Sequence, residues 1–187
     1  IFGELPSNEV LSKFENDIKK ESLVHEDISN ILKSFPHGAH PMGVLASLTS
    51  ALISFNPTSV DVNSDEKMYF AIVQLIAKFA VISSWVHRKV AGLPLNYSDN
   101  SLSYVENLAQ MMFRKPNEEY VNNPVIISAL NKLLILHADH EQNCSTSTVR
   151  IVGSSEAGLF ASISAGISAL WGRLHGGANQ AVLEMLE

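Results

Sequence analysis

Residues 68 to 86, MYFAIVQLIAKFAVISSWV, are apolar around nearly the whole circumference of a helix, with Gln74 and Lys78 as the interruptions. A helix that is apolar on every side must be buried on every side. The rest of the chain therefore has to wrap it. A second stretch, AGLFASISAGISALWG at 157 to 172, carries no charge at all, but its 16 residues fall short of the roughly 18 to 20 that a membrane span requires. Both are read as buried helices of a globular chain.

The remaining apolar residues recur at helical spacing and nowhere at the alternating spacing of a strand. Val10, Leu11, Phe14 and Ile18 fall on one side of a helix, and Val24, Ile28, Ile31, Leu32 and Phe35 on one side of the next. GAHPMG at 38 to 43 breaks the pattern, which Val44, Leu45, Leu48, Leu52 and Ile53 resume up to the FNPTS turn. The long apolar helix should run over 65 to 90 and stop at AGLPLN, where Gly92 and Pro94 stand. A helix over 101 to 113 turns Leu102, Val105, Leu108 and Met112 inward, and Pro124 suits the first residue of a helix running through VIISALNKLLILHADH. Gly158, Ala161, Ser162, Ala165, Gly166 and Ala169 form a small-residue face on the helix over 157 to 172, which predicts a close approach to another helix, within the chain or across a symmetric contact. A last helix starts after Gly177. The expected fold is all-α, a single helical lobe over residues 1–187 with no significant sheet.

With 46% hydrophobic residues, the chain has ample material for a core. Its net charge of −6 and its scattered Lys and Arg supply no basic face, so neither nucleic acid nor a membrane is expected as a partner. One cysteine, Cys144, excludes an internal disulfide framework, and the opening IFGELPSNEV lacks the pattern of a signal peptide. Both point to a cytoplasmic protein. The last helix breaks off in mid-pattern at Glu187 without a stop signal, which reads as a piece of a longer polypeptide.

Two polar stretches carry candidate chemistry. In LHADHEQNCSTSTVR, residues 136 to 150, a helix would place His137, His140 and Glu141 on one face. That HxxHE order differs from the helical HExxH and HxxEH metal motifs, and histidines also suit a helix C-terminus. In LHGGAN, residues 174 to 179, His175 precedes two glycines and a helix start. Backbone N–H groups there would disfavour its protonation, and a neutral histidine can donate a hydrogen bond to a carbonyl oxygen becoming an enolate. The glycines would let a substrate approach the backbone.

Taken together, LHADHEQNCSTSTVR, VGSSEAGLFASISAGISALWG and LHGGANQAVLEMLE resemble the citrate synthase family, in its bacterial type. HPMGVLASLTSAL from His40 and GELP from Gly3 are similar in order and spacing, so the resemblance covers essentially the whole chain. It implies an all-helical homodimer, with room for higher assembly, that condenses acetyl-CoA with oxaloacetate through an enol or enolate and releases citrate and CoA in the tricarboxylic acid cycle. It also implies no metal and no cofactor, acetyl-CoA being a substrate.

By motif, His175 is similar to the family's catalytic histidine that stabilises the acetyl-CoA enolate, His140 to the one that binds oxaloacetate, and Asn143 to a neighbour in that pocket. His137 and the acids are then helix-end scaffolding. The chain corresponds to the N-terminal and central part of the family's large domain. A further histidine, an aspartate, the carboxylate-binding arginines and most of the CoA site, with the small domain, would lie downstream. Arg173 stands where many relatives have proline, and Pro36, His37, Gly38 and Ala39 replace the arginines that in many Gram-negative relatives help bind the inhibitor NADH, which argues against that inhibition here. Two alternatives stay open: a 2-methylcitrate synthase using propionyl-CoA, and, for this chain alone, a non-catalytic helical dimerisation lobe. Because acid and base groups each contribute on the order of 10² to 10⁴ in rate, the 187-residue chain by itself is expected to form no measurable citrate. Clear citrate production by the purified chain would overturn that expectation.

Overall fold

A computed structural model describes residues 3–57, 61, 63–138 and 141–186. Among them nine helices succeed one another with no strand: α1 (Asn8–Glu21), α2 (Glu26–Ser34), α3 (Pro41–Phe55), α4 (Asp65–Val90), α5 (Tyr104–Phe113), α6 (Pro124–Leu136), α7 (Cys144–Gly153), α8 (Leu159–Leu170) and α9 (Gly176–Leu186). The all-α reading holds.

The apolar helix α4 is the axis of the core. Ser64 caps its start by accepting the Lys67 N–H, and Asp65 and Glu66 occupy the first turn, where the helix dipole favours negative charge. His87, Arg88 and Lys89 occupy the last turn. Gly92 then adopts φ 68, and its N–H bonds the Lys89 carbonyl while Leu93 N–H bonds that of Arg88. That pair of bonds is a Schellman ending, which needs the left-handed conformation that glycine alone adopts cheaply. Helices α1, α2, α3, α5 and α8 all pack on α4, so that Val81, Ile82 and Trp85 meet Ile28, Leu32, Leu48, Leu52, Met111 and Phe160 in one core.

The polar residues of α4 tie its neighbours down. Lys78 is buried, and its Nζ donates to the carbonyls of Glu21 (2.8 Å) and Leu23 (2.9 Å), while Gln74 Nε2 donates to the Glu21 carboxylate at 3.0 Å. Desolvation lowers the Lys78 pKa, against the opposing pull of Glu21. Ten residues on, Arg88 is 0% exposed and donates to the Pro94 carbonyl, to Met112 O at 3.1 Å and to Arg114 O at 2.8 Å. Asn96 Nδ2 shares the Gln110, Met111 and Arg114 carbonyls, and its own carbonyl accepts the Trp85 indole N–H at 2.7 Å. The orphan carbonyls that end α1 and α5 are thus satisfied from α4 and the segment after it.

Five differences from the sequence reading are local. Helix α5 starts at Tyr104 rather than 101, because Ser103 and Glu106 close a capping box, and Met111 rather than Met112 is buried. Helix α6 ends at Leu136, where His137 is its cap. Val10 and Leu11 stay exposed on α1, which has no buried residue. Helix α7 was not foreseen; Asn143 caps it by accepting the Thr146 N–H.

Helix α8 meets neighbours on both sides. Ser164 Oγ donates to the Ala46 carbonyl of α3 at 2.8 Å, and a Cβ on Gly166 would stand 2.6 Å from Val149 Cγ2 of α7. These contacts within the chain account for Gly166 and Ser164. Replacing Arg88 by Met would leave the Pro94 and Met112 carbonyls without donors and the Arg114 carbonyl with Asn96 Nδ2 alone, and at about 1–3 kcal/mol for an unsatisfied buried group a loss of roughly 2–5 kcal/mol is expected in denaturant unfolding. A loss under about 1 kcal/mol would show that the clamp contributes little.

Candidate active site

Helix α6 opens with Asn123, whose Oδ1 accepts the Val125 N–H at 2.9 Å, and Pro124 sits in the first turn, where a missing N–H costs nothing. At its end His137 is the capping residue. Its backbone N–H bonds the Leu133 carbonyl at 3.1 Å and its Nδ1 lies 2.7 Å from the same oxygen. A carbonyl only accepts, so Nδ1 carries the hydrogen. His137 thus finishes a helix. Because α6 ends at Leu136 and Glu141 has φ 57, His137 and Glu141 do not share a helical face. His140 itself lies outside the described residues. Among those described, no three His, Cys, Asp or Glu side chains are placed to hold a metal ion.

Asn143 Oδ1 receives two hydrogen bonds, from Thr146 N–H at 2.9 Å and from the Ser145 hydroxyl at 2.8 Å. The backbone N–H fixes which end of the amide is oxygen, and its Nδ2 donors stay uncommitted among the described residues. Ser145 Oγ is in turn 3.0 Å from His175 Nε2. Since the single hydroxyl hydrogen of Ser145 goes to Asn143, Nε2–H is the donor in this pair and Nδ1 of a neutral ring carries the lone pair.

His175 lies in the turn between α8 and α9, half-buried, with its N–H bonded to Gly172 O at 2.9 Å and its carbonyl accepting the Ala178 N–H at 3.1 Å. Its ring reaches the N-terminal turn of α7, a helix the sequence reading lacked. Beside Ser145 a groove of about 420 Å³ opens between α7 and α8, walled by Thr146, Val149, Arg150, Ile167 and Leu170. The glycines also act differently from expectation at one position. A side chain on Gly176 would collide with the Leu170 carbonyl, so the space there is filled by the chain itself rather than by a substrate.

A histidine, a serine and a capping asparagine thus form a row across two helix ends, and comparison with known proteins gives the row its context. The family model described as "Citrate synthase, C-terminal domain" matches residues 1–187. The chain belongs to the citrate synthase family. It is 49% identical to citrate synthase 1 of Mycobacterium tuberculosis and to the citrate synthase of Corynebacterium glutamicum, in each case over 100% of this chain and 43% of the relative. The crystal structure of citrate synthase from Pyrobaculum aerophilum superimposes with a TM-score of 0.84 at 30% identity, over 96% of this chain and 46% of that one. The chain therefore spans less than half the length of these citrate synthases.

Within this family member, His175 and Asn143 are brought to one row, and Ser145 is the residue that reasoning from sequence missed. Its signal was present in the hydroxyl run after Asn143, but only an N-capped helix there gives Ser145 a fixed direction. Gly176→Ala should destabilise the chain by more than about 2 kcal/mol, as steric conflict with backbone allows little relief. A melting temperature within a degree of the parent's would show that the turn can yield.

Proposed function

We propose that the complete protein condenses acetyl-CoA with oxaloacetate to citryl-CoA and hydrolyses it to citrate and CoA. The observation that carries the reading is the His175 imidazole, held through Nε2 by Ser145 while Nδ1 makes no bond among the described residues. Before a thioester carbonyl docks at Nδ1, the ring changes tautomer by exchange with water, which takes the proton from Nε2 and returns one to Nδ1, while the Ser145 hydroxyl turns its hydrogen from Asn143 Oδ1 to the Nε2 lone pair so exposed. The neutral ring then presents Nδ1–H to the oxygen on which negative charge grows as a base removes the methyl proton. The nucleophilic carbon so formed attacks the oxaloacetate carbonyl. His140 and Asn143, with its uncommitted Nδ2 donors, are the oxaloacetate-binding residues of this proposal.

A homodimer belongs to the same reading. Val125, Ile126, Leu133, Leu134, Ile135 and Leu136 of α6 are exposed, and neither α6 nor α9 has a buried residue. An apolar helix in that state supports a larger assembly, completed by further polypeptide and by a second copy.

His175→Asn in the complete protein should lower kcat with acetyl-CoA by about 10² to 10⁴ and change the KM for oxaloacetate little. Normal turnover in that variant would contradict the assignment, and faster turnover of propionyl-CoA than of acetyl-CoA would move it to the methylcitrate reaction. Oxaloacetate should raise the melting temperature of the complete protein, as any ligand of the native state does.

A further inference from the structure

The turn that carries His175 is hung on a residue that touches neither Ser145 nor the α7–α8 groove. Trp171 ends α8, with its N–H on Ile167 O at 3.0 Å. The next residue, Gly172, gives its carbonyl both to His175 N–H at 2.9 Å and to Gly177 N–H at 3.2 Å. The backbone of His175 is thus one hydrogen bond away from the residue following Trp171.

The Trp171 ring crosses to the start of α3. It stacks on His40, with centroids 4.9 Å apart and planes at 28°, and it lies on the backbone of Gly43, where an added Cβ would be 3.2 Å from Cζ3 and 3.3 Å from Cη2. His40 is itself held, because its Nδ1 accepts the Met42 N–H at 3.2 Å as the cap of α3. With 46% of its surface exposed, Trp171 contributes less to the core than its size would allow. Its ring nevertheless rests on two residues at one corner of α3, His40 and Gly43. Farther back along α8 the spacing from α3 is already set by Ser164 on the Ala46 carbonyl. What the Trp171 seat adds is control over how α8 ends and how the 172–175 turn leaves it.

We propose that Trp171, seated on Gly43 and stacked on His40, is a positioning residue that fixes the aim of the His175 imidazole. The inference rests on the reading of His175 as the group that meets the thioester oxygen. A displacement of a few tenths of an ångström at the ring is carried through Gly172 to a histidine whose work depends on alignment, and misplacement by 1 Å can cost on the order of 10²-fold in rate.

Gly43→Ala in the complete protein is the sharpest test. The added methyl group pushes the indole aside, yet alanine at the third residue of α3 is the better helix former, so the melting temperature should hold or rise. The expected result is a fall in kcat with acetyl-CoA of about 5- to 20-fold with the KM for oxaloacetate within about twofold, since the loss falls on alignment rather than binding. Trp171→Ala should lose at least as much, and Trp171→Phe, which keeps the stack on His40, should recover most of it. The ¹³Cε1–¹H NMR signal of His175, assigned by its loss in His175→Gln, should move in Gly43→Ala and Trp171→Ala and stay in place in Trp171→Phe. Parental kcat together with an unmoved His175 signal in Gly43→Ala would overturn the inference. If the parent protein forms no citrate, the proposed function fails on its own, and the His175 signal alone then decides whether Trp171 aims that ring.

Discussion

The approach of α8 to α7 at Gly166 governs the geometry of everything around His175. With Val149 Cγ2 only 2.6 Å from where a Cβ would stand, any larger residue would force the Val149 side chain or one of the two helices to shift. A glycine inside a helix costs about 1 kcal/mol relative to alanine, and here that cost is offset by the close contact with Val149. The consequence is that the N-terminal turn of α7 lies beside the turn that follows α8. Ser145 and His175, 30 residues apart in sequence, come within 3.0 Å. A hydrogen bond of that length between side chains on two elements requires both backbones to be fixed, since neither side chain is long enough to search for the other.

What fixes α8 is in turn its seat on α3 and α4. Phe160 enters the α4 core, and Ser164 bonds a carbonyl of α3. Within α4 two buried cations do an unusual job, each donating to carbonyls at the end of another segment: Lys78 at the end of α1, Arg88 at the end of α5. Helix C-termini carry partial negative charge, so a cation placed there finds a counter-charge, to which Lys78 adds the Glu21 carboxylate at 3.6 Å. Burying charge remains costly, and these residues make α4 a poor membrane span despite its length and apolarity. The same residues join neighbouring helices to the central one in a single register.

The sequence alone revealed the helical class and the long helix over 65 to 90 to the residue, because that helix is apolar all round and bounded by an acidic start and a Gly-Leu-Pro stop. The buried stripe of Val24, Ile28 and Leu32 was equally legible. Legibility failed where a cap rather than a pattern decides. Ser103 and Glu106 delay α5, His137 ends α6 early, and Asn143 starts α7 in a stretch of hydroxyl residues whose low apolar content gives no periodicity to read. His175 stood out in the sequence by its motif, but its contact with Ser145 did not, because that contact depends on α7 existing and on the depth of the α7–α8 approach. Gly176 shows the same limit: a glycine signals close approach without saying what approaches.

The claim at the centre is that Ser145 gives its hydrogen to Asn143 and receives one from His175, leaving Nδ1 open until a substrate oxygen arrives. Nitrogen-15 NMR of the ring of His175 in the complete, ligand-free protein tests this directly at a pH where the ring is neutral. The account requires a hydrogen on Nε2 and a lone pair on Nδ1, with the hydrogen moving to Nδ1 when oxaloacetate and an acetyl-CoA analogue are bound. A ring that carries its hydrogen on Nδ1 without ligands, or that does not change when they bind, would contradict it.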